Sequence, residues 1–319
     1  MTAVASNLAS DLQETPLLLA RRYHTGENLW VKLEGEHPSR SIKHRAALFM
    51  LDAARMEDGS ENPTIVESTS GNLGYALGLL APRFGYDVLC IVDALMPREK
   101  LRLLEGVTRI QMVNARSPND PRAMRIAKAR ELGCLPGYRW INQYGSEANY
   151  RAHLESTGPE LSLQAQEMVR WVVCAVGSGG TACGLAAFFA GRGTRTSVVC
   201  VEPFGSTIYG KRAAPYLSVG AGLHEPSQLM RRWDQSVAAH AQVPDGVAIS
   251  EVKRFRNSEG IDLGITSGAC LAVAHQLANA FPEEGVVAIS ADYGGPYHEI
   301  VDAGAILERI PLTITSLKP

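Results

Sequence analysis

Residues 171–189 read WVVCAVGSGGTACGLAAFF. An apolar run of strand length ends in Gly177, Ser178, Gly179, Gly180 and Thr181, and an apolar stretch of helix length follows. A run apolar at nearly every position suits a strand buried on both faces, as in the centre of a parallel sheet. Glycines let the chain turn tightly out of the strand and aim successive N–H groups at one point. The helix start adds its partial positive charge, and Ser178 and Thr181 add hydroxyl donors. The stretch therefore reads as strand, phosphate cradle and helix. GSGGTA also satisfies the G-x-G-x-x-G/A spacing, and Glu202 follows about 20 residues on, so an NAD-binding Rossmann oxidoreductase is a competing reading here.

The same alternation runs outward along the chain. Strands are expected at Leu29–Leu33, Thr64–Glu67, Val88–Asp93, Arg109–Val113, Trp140–Gln143, Trp171–Val176, Val198–Glu202, Val247–Ser250 and Val286–Ser290. Helices are expected at Gly71–Phe84, Pro121–Gly133, Tyr150–Gln166 and Ala182–Ala190. Strands alternating with helices predict an α/β fold with parallel-rich sheets covered on both faces. The Gly- and Pro-interrupted segment Lys211–Arg232 reads as a long irregular connection.

With 319 residues, two lobes around a cleft are expected. A net charge of -2 gives no reason to expect nucleic acid or an anionic membrane as partner. The six cysteines show no CxxC spacing, and Cys90, Cys174 and Cys200 fall in apolar runs. Buried free thiols and a cytoplasmic location follow as expectations. The N-terminal stretch lacks the pattern of a signal peptide, and no apolar run has the length of a membrane span. The eight histidines show no metal-binding spacing, and no GxSxG elbow is present.

Two further strand-to-helix turns carry chemistry. In IVESTSGNLGYALG, residues 65–78, Ser68, Thr69, Ser70, Gly71 and Asn72 open an apolar helix. One of them would serve as a cap; five polar or glycine residues together suit a bound carboxylate. In HPSRSIKHRAALFML, residues 37–51, Arg40, Lys43, His44 and Arg45 crowd a helix start, where the macrodipole disfavours cations. A lysine whose pKa is lowered by burial or by neighbouring cations becomes a nucleophile toward carbonyls. The alternative is a solvated surface lysine. A cofactor carrying both a phosphate and an aldehyde would join Lys43 to the Gly177–Thr181 cradle.

Taken together, PSRSIKHR, TSGNLG, GSGGT and GITSGA (residues 264–269), with the early TPLLLA and the late SADYGGPY, resemble the fold-type II pyridoxal-phosphate enzymes of the cysteine synthase family. The motifs come in family order from Thr15 to Tyr297. The resemblance implies a two-domain fold with the active site in the interdomain cleft. It implies a smaller domain over residues 40–148 and a larger cofactor-binding domain from residues 1–39 plus 149–319.

The resemblance also implies roles. Lys43 forms the Schiff base with pyridoxal 5'-phosphate and is the catalytic base. Asn72 meets the ring hydroxyl, Gly177, Ser178, Gly179, Gly180 and Thr181 hold the phosphate, and Thr266 faces the pyridine nitrogen. Thr69, Ser70, Gly71 and Asn72 hold the substrate carboxylate. Gln143 and Tyr144 face the substrate, and Arg125 is a candidate contact for an anionic second substrate.

ESTSGNLG, RIAKARELG, WINQY and EPFGSTIYG look most like one branch of the family. Its members, the N-(2-amino-2-carboxyethyl)-L-glutamate synthases, join O-phospho-L-serine to glutamate on the way to 2,3-diaminopropionate. The implied activity is β-replacement on an activated L-serine, such as O-phosphoserine or O-acetylserine, by an amine or thiol. Cysteine synthase and serine/threonine dehydratase chemistry share the scaffold. A homodimer is implied as well. His37, Arg40, His44 and Pro296 depart from the family pattern, and His37, Arg40 and Pro296 keep open a catalytically idle cofactor-binding partner protein.

Overall fold

The computed structural model describes residues 8, 12–57, 63–113, 121–166, 168–209, 212–218, 220–233, 237–303 and 313–315. They form an α/β fold with two separate sheets. The smaller sheet holds β3 (Thr64–Ser68), β4 (Val88–Asp93), β5 (Arg109–Val113) and β6 (Tyr138–Trp140), in the order β5-β4-β3-β6. All of its pairings are parallel.

The larger sheet has seven strands: β1 (Leu17–Leu19), β2 (Leu29–Leu33), β7 (Val169–Ala175), β8 (Ser197–Pro203), β9 (Ala239–Val243), β10 (Gly285–Ser290) and β11 (Thr313–Thr315). Their order is β1-β2-β10-β7-β8-β9-β11, and only the edge strands β1 and β11 run antiparallel to their neighbours. At the centre, β7 and β10 are almost wholly buried, which is why WVVCAV and VVAIS carry hardly a polar side chain.

Helices cover both sheets. Four of them matter to the site: α1 (Lys43–Glu57), α2 (Asn72–Leu80), α3 (Arg98–Glu105) and α4 (Pro121–Gly133). The stretch expected as one helix from Tyr150 is α5 (Glu147–Ala152), a π turn (His153–Thr157) and α6 (Gly158–Ala165) in unbroken succession. Beyond it lie α7 (Gly180–Gly191), α8 (Gln228–Trp233), α9 (Asp245–Glu259), α10 (Ile265–Ala280) and α11 (His298–Asp302).

Two expectations fail locally. Val247–Ser250 is not a strand but lies within α9, whose buried residues Ala248, Ile249, Val252 and Phe255 follow helical spacing. The strand of that region is β9, with an alternating burial pattern that pairs it to β8. The strand expected at Trp140–Gln143 ends at Trp140, and the chain leaves the sheet through Asn142, whose φ is 48°. The irregular connection around residues 212–218 and 220–227 is as expected, and closes with the short helix α8. No helix among the described residues is long and apolar enough to cross a membrane.

Candidate active site

Lys43 is the first residue of α1. The chain reaches it by running beside the exit of β10: Ile42 N–H donates to Ala291 O at 2.8 Å, and Tyr293 N–H donates to Arg40 O at 3.2 Å. This fixes the root of the lysine against the end of the large sheet. The side chain is half-buried, and the desolvation of its ammonium pushes its pKa down, while the Asp292 carboxylate pulls it partly back up. A lysine held this way is an available nucleophile and base.

The crowd of cations at this helix start resolves residue by residue. Arg45 is wholly buried and points away from Lys43, into a nest of charge. Its Nε and Nη2 donate to the two Glu34 carboxylate oxygens at 2.8 and 3.0 Å, and its Nη2 lies 2.7 Å from Glu160. Lys32 pairs with the same Glu160, so two buried cations meet two buried carboxylates. His44 stacks on His37 with ring centroids 5.1 Å apart, and burial pushes its pKa down to about 4. Arg40 is exposed, with its guanidinium 5.3 Å from the Tyr293 ring. The neighbouring cations expected to activate Lys43 are therefore paired, neutral or turned outward. Burial is the principal cause of its lowered pKa.

The Gly177–Thr181 turn lies where β7 runs into α7. Its shape requires glycine. A Cβ on Gly177 would stand 2.4 Å from Gly220 O, and one on Gly180 would stand 2.3 Å from Asn149 Oδ1. Gly179 has φ +90°. The first N–H groups of α7 have no intrahelical acceptor, as at any helix start. Around them Asn149 donates to Ser178 Oγ at 3.0 Å, and His153 Nε2 lies 3.2 Å from Thr181 Oγ1. Burial pushes the His153 pKa down to about 3, so this imidazole is a neutral partner of the cradle.

Lys43, the cradle residues and Thr266 line one cavity with Thr69, Ser70, Asn72, Gln143 and Tyr144. Thr266 belongs to the first turn of α10. Thr69 caps α2: its Oγ1 accepts from the N–H groups of Gly71 and Gly74 at 3.0 and 3.1 Å. Gln143 is held by Ser68 O, to which its Nε2 donates at 2.8 Å, and it sits 3.4 Å from Glu67 Oε1. Glu67 is wholly buried, and burial pushes its pKa up to about 8 against the hydrogen bonds from Gln143.

Two residues singled out from the sequence stand elsewhere. Gly71 turns its back on the cavity: its φ is 130°, and a Cβ there would meet Lys100 Cδ at 2.6 Å. Arg125 is buried in α4 and pairs with Asp93 at 2.5 Å, on the wall of a neighbouring pocket that shares Ser70, Arg122 and Gly220 with the cavity.

The sequence reading gave no role to Arg122, Asp292, Lys100 or Glu67. Arg122 and Asp292 line the cavity. Asp292 carries a signal in the sequence, because it lies within the SADYGGPY motif. Arg122, two residues into an ordinary helix, carried no signal.

These residues fit pyridoxal phosphate. The cradle would hold its phosphate, Lys43 its aldehyde carbon, and Asn72 and Thr266 the ring. The competing dinucleotide reading fits less well. Glu202, the acid it needs for a ribose, is fully buried and bound to the Ser206 hydroxyl, the Ile208 N–H and the Gln242 amide.

Comparison with known proteins agrees with this geometry. O-Ureido-L-serine synthase, crystallised as a lysine-to-alanine variant with O-ureido-L-serine bound, superposes with a TM-score of 0.84 at 24% identity over 95% of both chains. A hydrogen sulfide-producing enzyme from Fusobacterium nucleatum gives 0.81 at 25% identity, over 93% of this chain and 100% of that one. The O-acetylserine dependent cystathionine beta-synthase of Helicobacter pylori gives 0.82 at 22% identity, over 94% and 98%. Residues 8–292 match the sequence profile of the pyridoxal-phosphate dependent enzymes, and the chain belongs to that family.

Proposed function

We propose that the protein is a β-replacement synthase: it removes the β-substituent of an activated L-serine and adds an amine or thiol in its place. The observation that carries this reading is the meeting of Lys43, the N-terminus of α2 and the Gly177–Thr181 cradle on one cavity. When bound, pyridoxal phosphate supplies an electrophilic aldehyde and a ring that withdraws electrons from the substrate's α-carbon.

The protein's own residues do the rest. The N-terminal turn of α2, with the Ser70 hydroxyl, receives the substrate carboxylate and so sets which α-bond faces Lys43. Lys43 Nζ, its pKa lowered by burial and partly restored by Asp292, accepts the α-proton. The β-substituent leaves with its bonding electrons, the incoming nucleophile adds to the same β-carbon, and Lys43 returns the proton to the α-carbon. Thr266 would offer a hydroxyl, not a carboxylate, to the ring nitrogen, and this milder partner would favour elimination and replacement over transamination.

Arg122 brings a permanent cation into the lining, which suits an O-phosphoserine donor and, with the sequence strings above, supports the 2,3-diaminopropionate-type branch. A cytoplasmic homodimer completes the proposal. The six free cysteines support the location, and the resemblance alone supports the dimer.

The test is spectroscopic. The purified protein should show the visible band of bound pyridoxal phosphate, and O-phospho-L-serine should change it more than O-acetyl-L-serine or L-serine. A panel of amines and thiols should then restore the original band with one of them. Borohydride should fix the cofactor's mass on Lys43, and Lys43→Ala should lose both the fixation and all turnover. A Lys43→Ala variant turning over at the parental rate would refute the assignment.

A further inference from the structure

Lys100 is a lysine in an unexpected place. It lies in REKLRLLE, which reads as a surface helix, yet its side chain is 3% exposed. Burying an ammonium costs several kcal/mol unless partners offset it. Its Nζ donates to Asn72 Oδ1 at 2.8 Å, to Asp292 Oδ2 at 3.4 Å and to the Tyr297 hydroxyl. The Tyr297 hydroxyl in turn donates to Asp292 Oδ2 at 2.5 Å, and Asn72 Nδ2 donates to the same oxygen at 2.8 Å. Burial pushes the Lys100 pKa down and Asp292 pulls it partly back up; in the charged form all three ammonium protons are used. Asn72 and Lys100 follow the small sheet's strands, whereas Asp292 and Tyr297 follow the last central strand of the large one, so the cluster spans both halves.

The chemistry of the partners decides how Asn72 is oriented. An ammonium only donates and an ionised carboxylate only accepts. The carboxamide must therefore turn its oxygen to Lys100 and its nitrogen to Asp292. A flipped amide would set N–H against N–H and oxygen against oxygen. Asn72 lines the cavity, whereas Lys100 itself does not reach it.

We propose that Lys100 is a positioning residue that locks the Asn72 carboxamide so that it meets the cofactor's ring oxygen as a hydrogen-bond donor. This rests on the reading of the site as a pyridoxal-phosphate site in which Asn72 faces that oxygen. Lys100 acts through Asn72 and touches neither substrate nor cofactor.

The experiment compares the parent with Lys100→Met, Lys100→Arg and Lys100→Gln. Three quantities are measured: the visible absorption maximum of the cofactor-loaded protein, the dissociation constant for pyridoxal phosphate, and the thermal midpoint without cofactor. Lys100→Met should move the absorption maximum and raise the dissociation constant about tenfold or more, because the released carboxamide loses its own hydrogen bond to the ring oxygen. Arginine, which only donates, should keep the parental maximum. Glutamine, which also accepts and lets the amide flip, should move it. If Lys100→Met does not fold, the arginine and glutamine variants decide between them. A merely structural lysine would lower the thermal midpoint and leave the maximum in place. A parental maximum and dissociation constant in the methionine or glutamine variant overturns the proposal. A parent with no visible band overturns the underlying reading, and this one with it.

Discussion

Replacing Arg45 with Met asks what holds the first turn of α1, and with it Lys43. Methionine keeps much of the aliphatic stem and removes the charge. Arg45 makes a two-pronged contact with Glu34 and a third with Glu160, and none of the three side chains is more than 8% exposed. Removing one partner of such a buried pair costs about 3–5 kcal/mol, because a carboxylate is left without a counter-charge. In a chain of this size about 2 °C of melting temperature goes with each kcal/mol, so the midpoint should fall by about 6–10 °C.

The pH dependence supplies a second, sharper test. Burial alone would push the Glu34 carboxyl up; Arg45, with help from His37, holds it well below the ordinary carboxylate range. In the parent its contribution is thus present above about pH 4 and is lost as pH falls through the depressed value. In the variant burial prevails and the folded pKa rises. A raised carboxyl contributes stability below its unfolded pKa and loses it as pH rises. The deficit of Arg45→Met against the parent should therefore be larger at pH 8 than at pH 5, read by thermal unfolding in circular dichroism. A variant within about 1 °C of the parent at pH 8, or a deficit that is larger at pH 5, would refute this account.

Gly177→Ala places a methyl 2.4 Å from the Gly220 backbone carbonyl oxygen and should weaken pyridoxal-phosphate binding at least tenfold in an absorbance titration. An unchanged dissociation constant would remove this turn from the phosphate site. Glu67, raised to about 8 by burial, contributes stability that is lost as pH climbs from the ordinary carboxylate range through about 8. Glu67→Gln holds no such charge, so in urea unfolding it should lose less stability than the parent between pH 6 and pH 8.5. Equal losses in the two proteins would mean that Glu67 is ionised throughout.

Much of this was legible in the sequence, for physical reasons that also mark the limits. The central strands announced themselves because burial on both faces excludes polar side chains. The glycine turn announced itself because only glycine clears Gly220 and Asn149. DGVAIS misled, because a short apolar run fits a strand and the buried side of a helix equally well, and the periodicity that decides appears only over Ala248, Ile249, Val252 and Phe255. AHAQV went unread because His240 and Gln242 interrupt its apolar residues, although they mark the alternation of a half-buried strand.

The charges near Lys43 could be located but not paired. Their partners lie at Glu34 and Glu160, and no local pattern links the second of these to Arg45. Lys100 was invisible for the same reason, since its partners come from residues 72, 292 and 297.

The pairing of β2 with β10 sets Leu29 beside Val286 and Val31 beside Ala288, and this bears on how the protein emerges from a ribosome. The small sheet is complete once Trp140 has been made. The second strand of the large sheet waits for a neighbour that begins at Gly285, roughly 145 residues after Trp140, which at ordinary elongation rates is a further delay of about 7–30 s. During that interval Leu29 and Val31, fully covered in the finished protein, have no sheet partner on one side. A nascent chain halted after the small sheet would thus display a formed half with the carboxylate loop, and a sticky N-terminal segment that chaperones would be expected to hold.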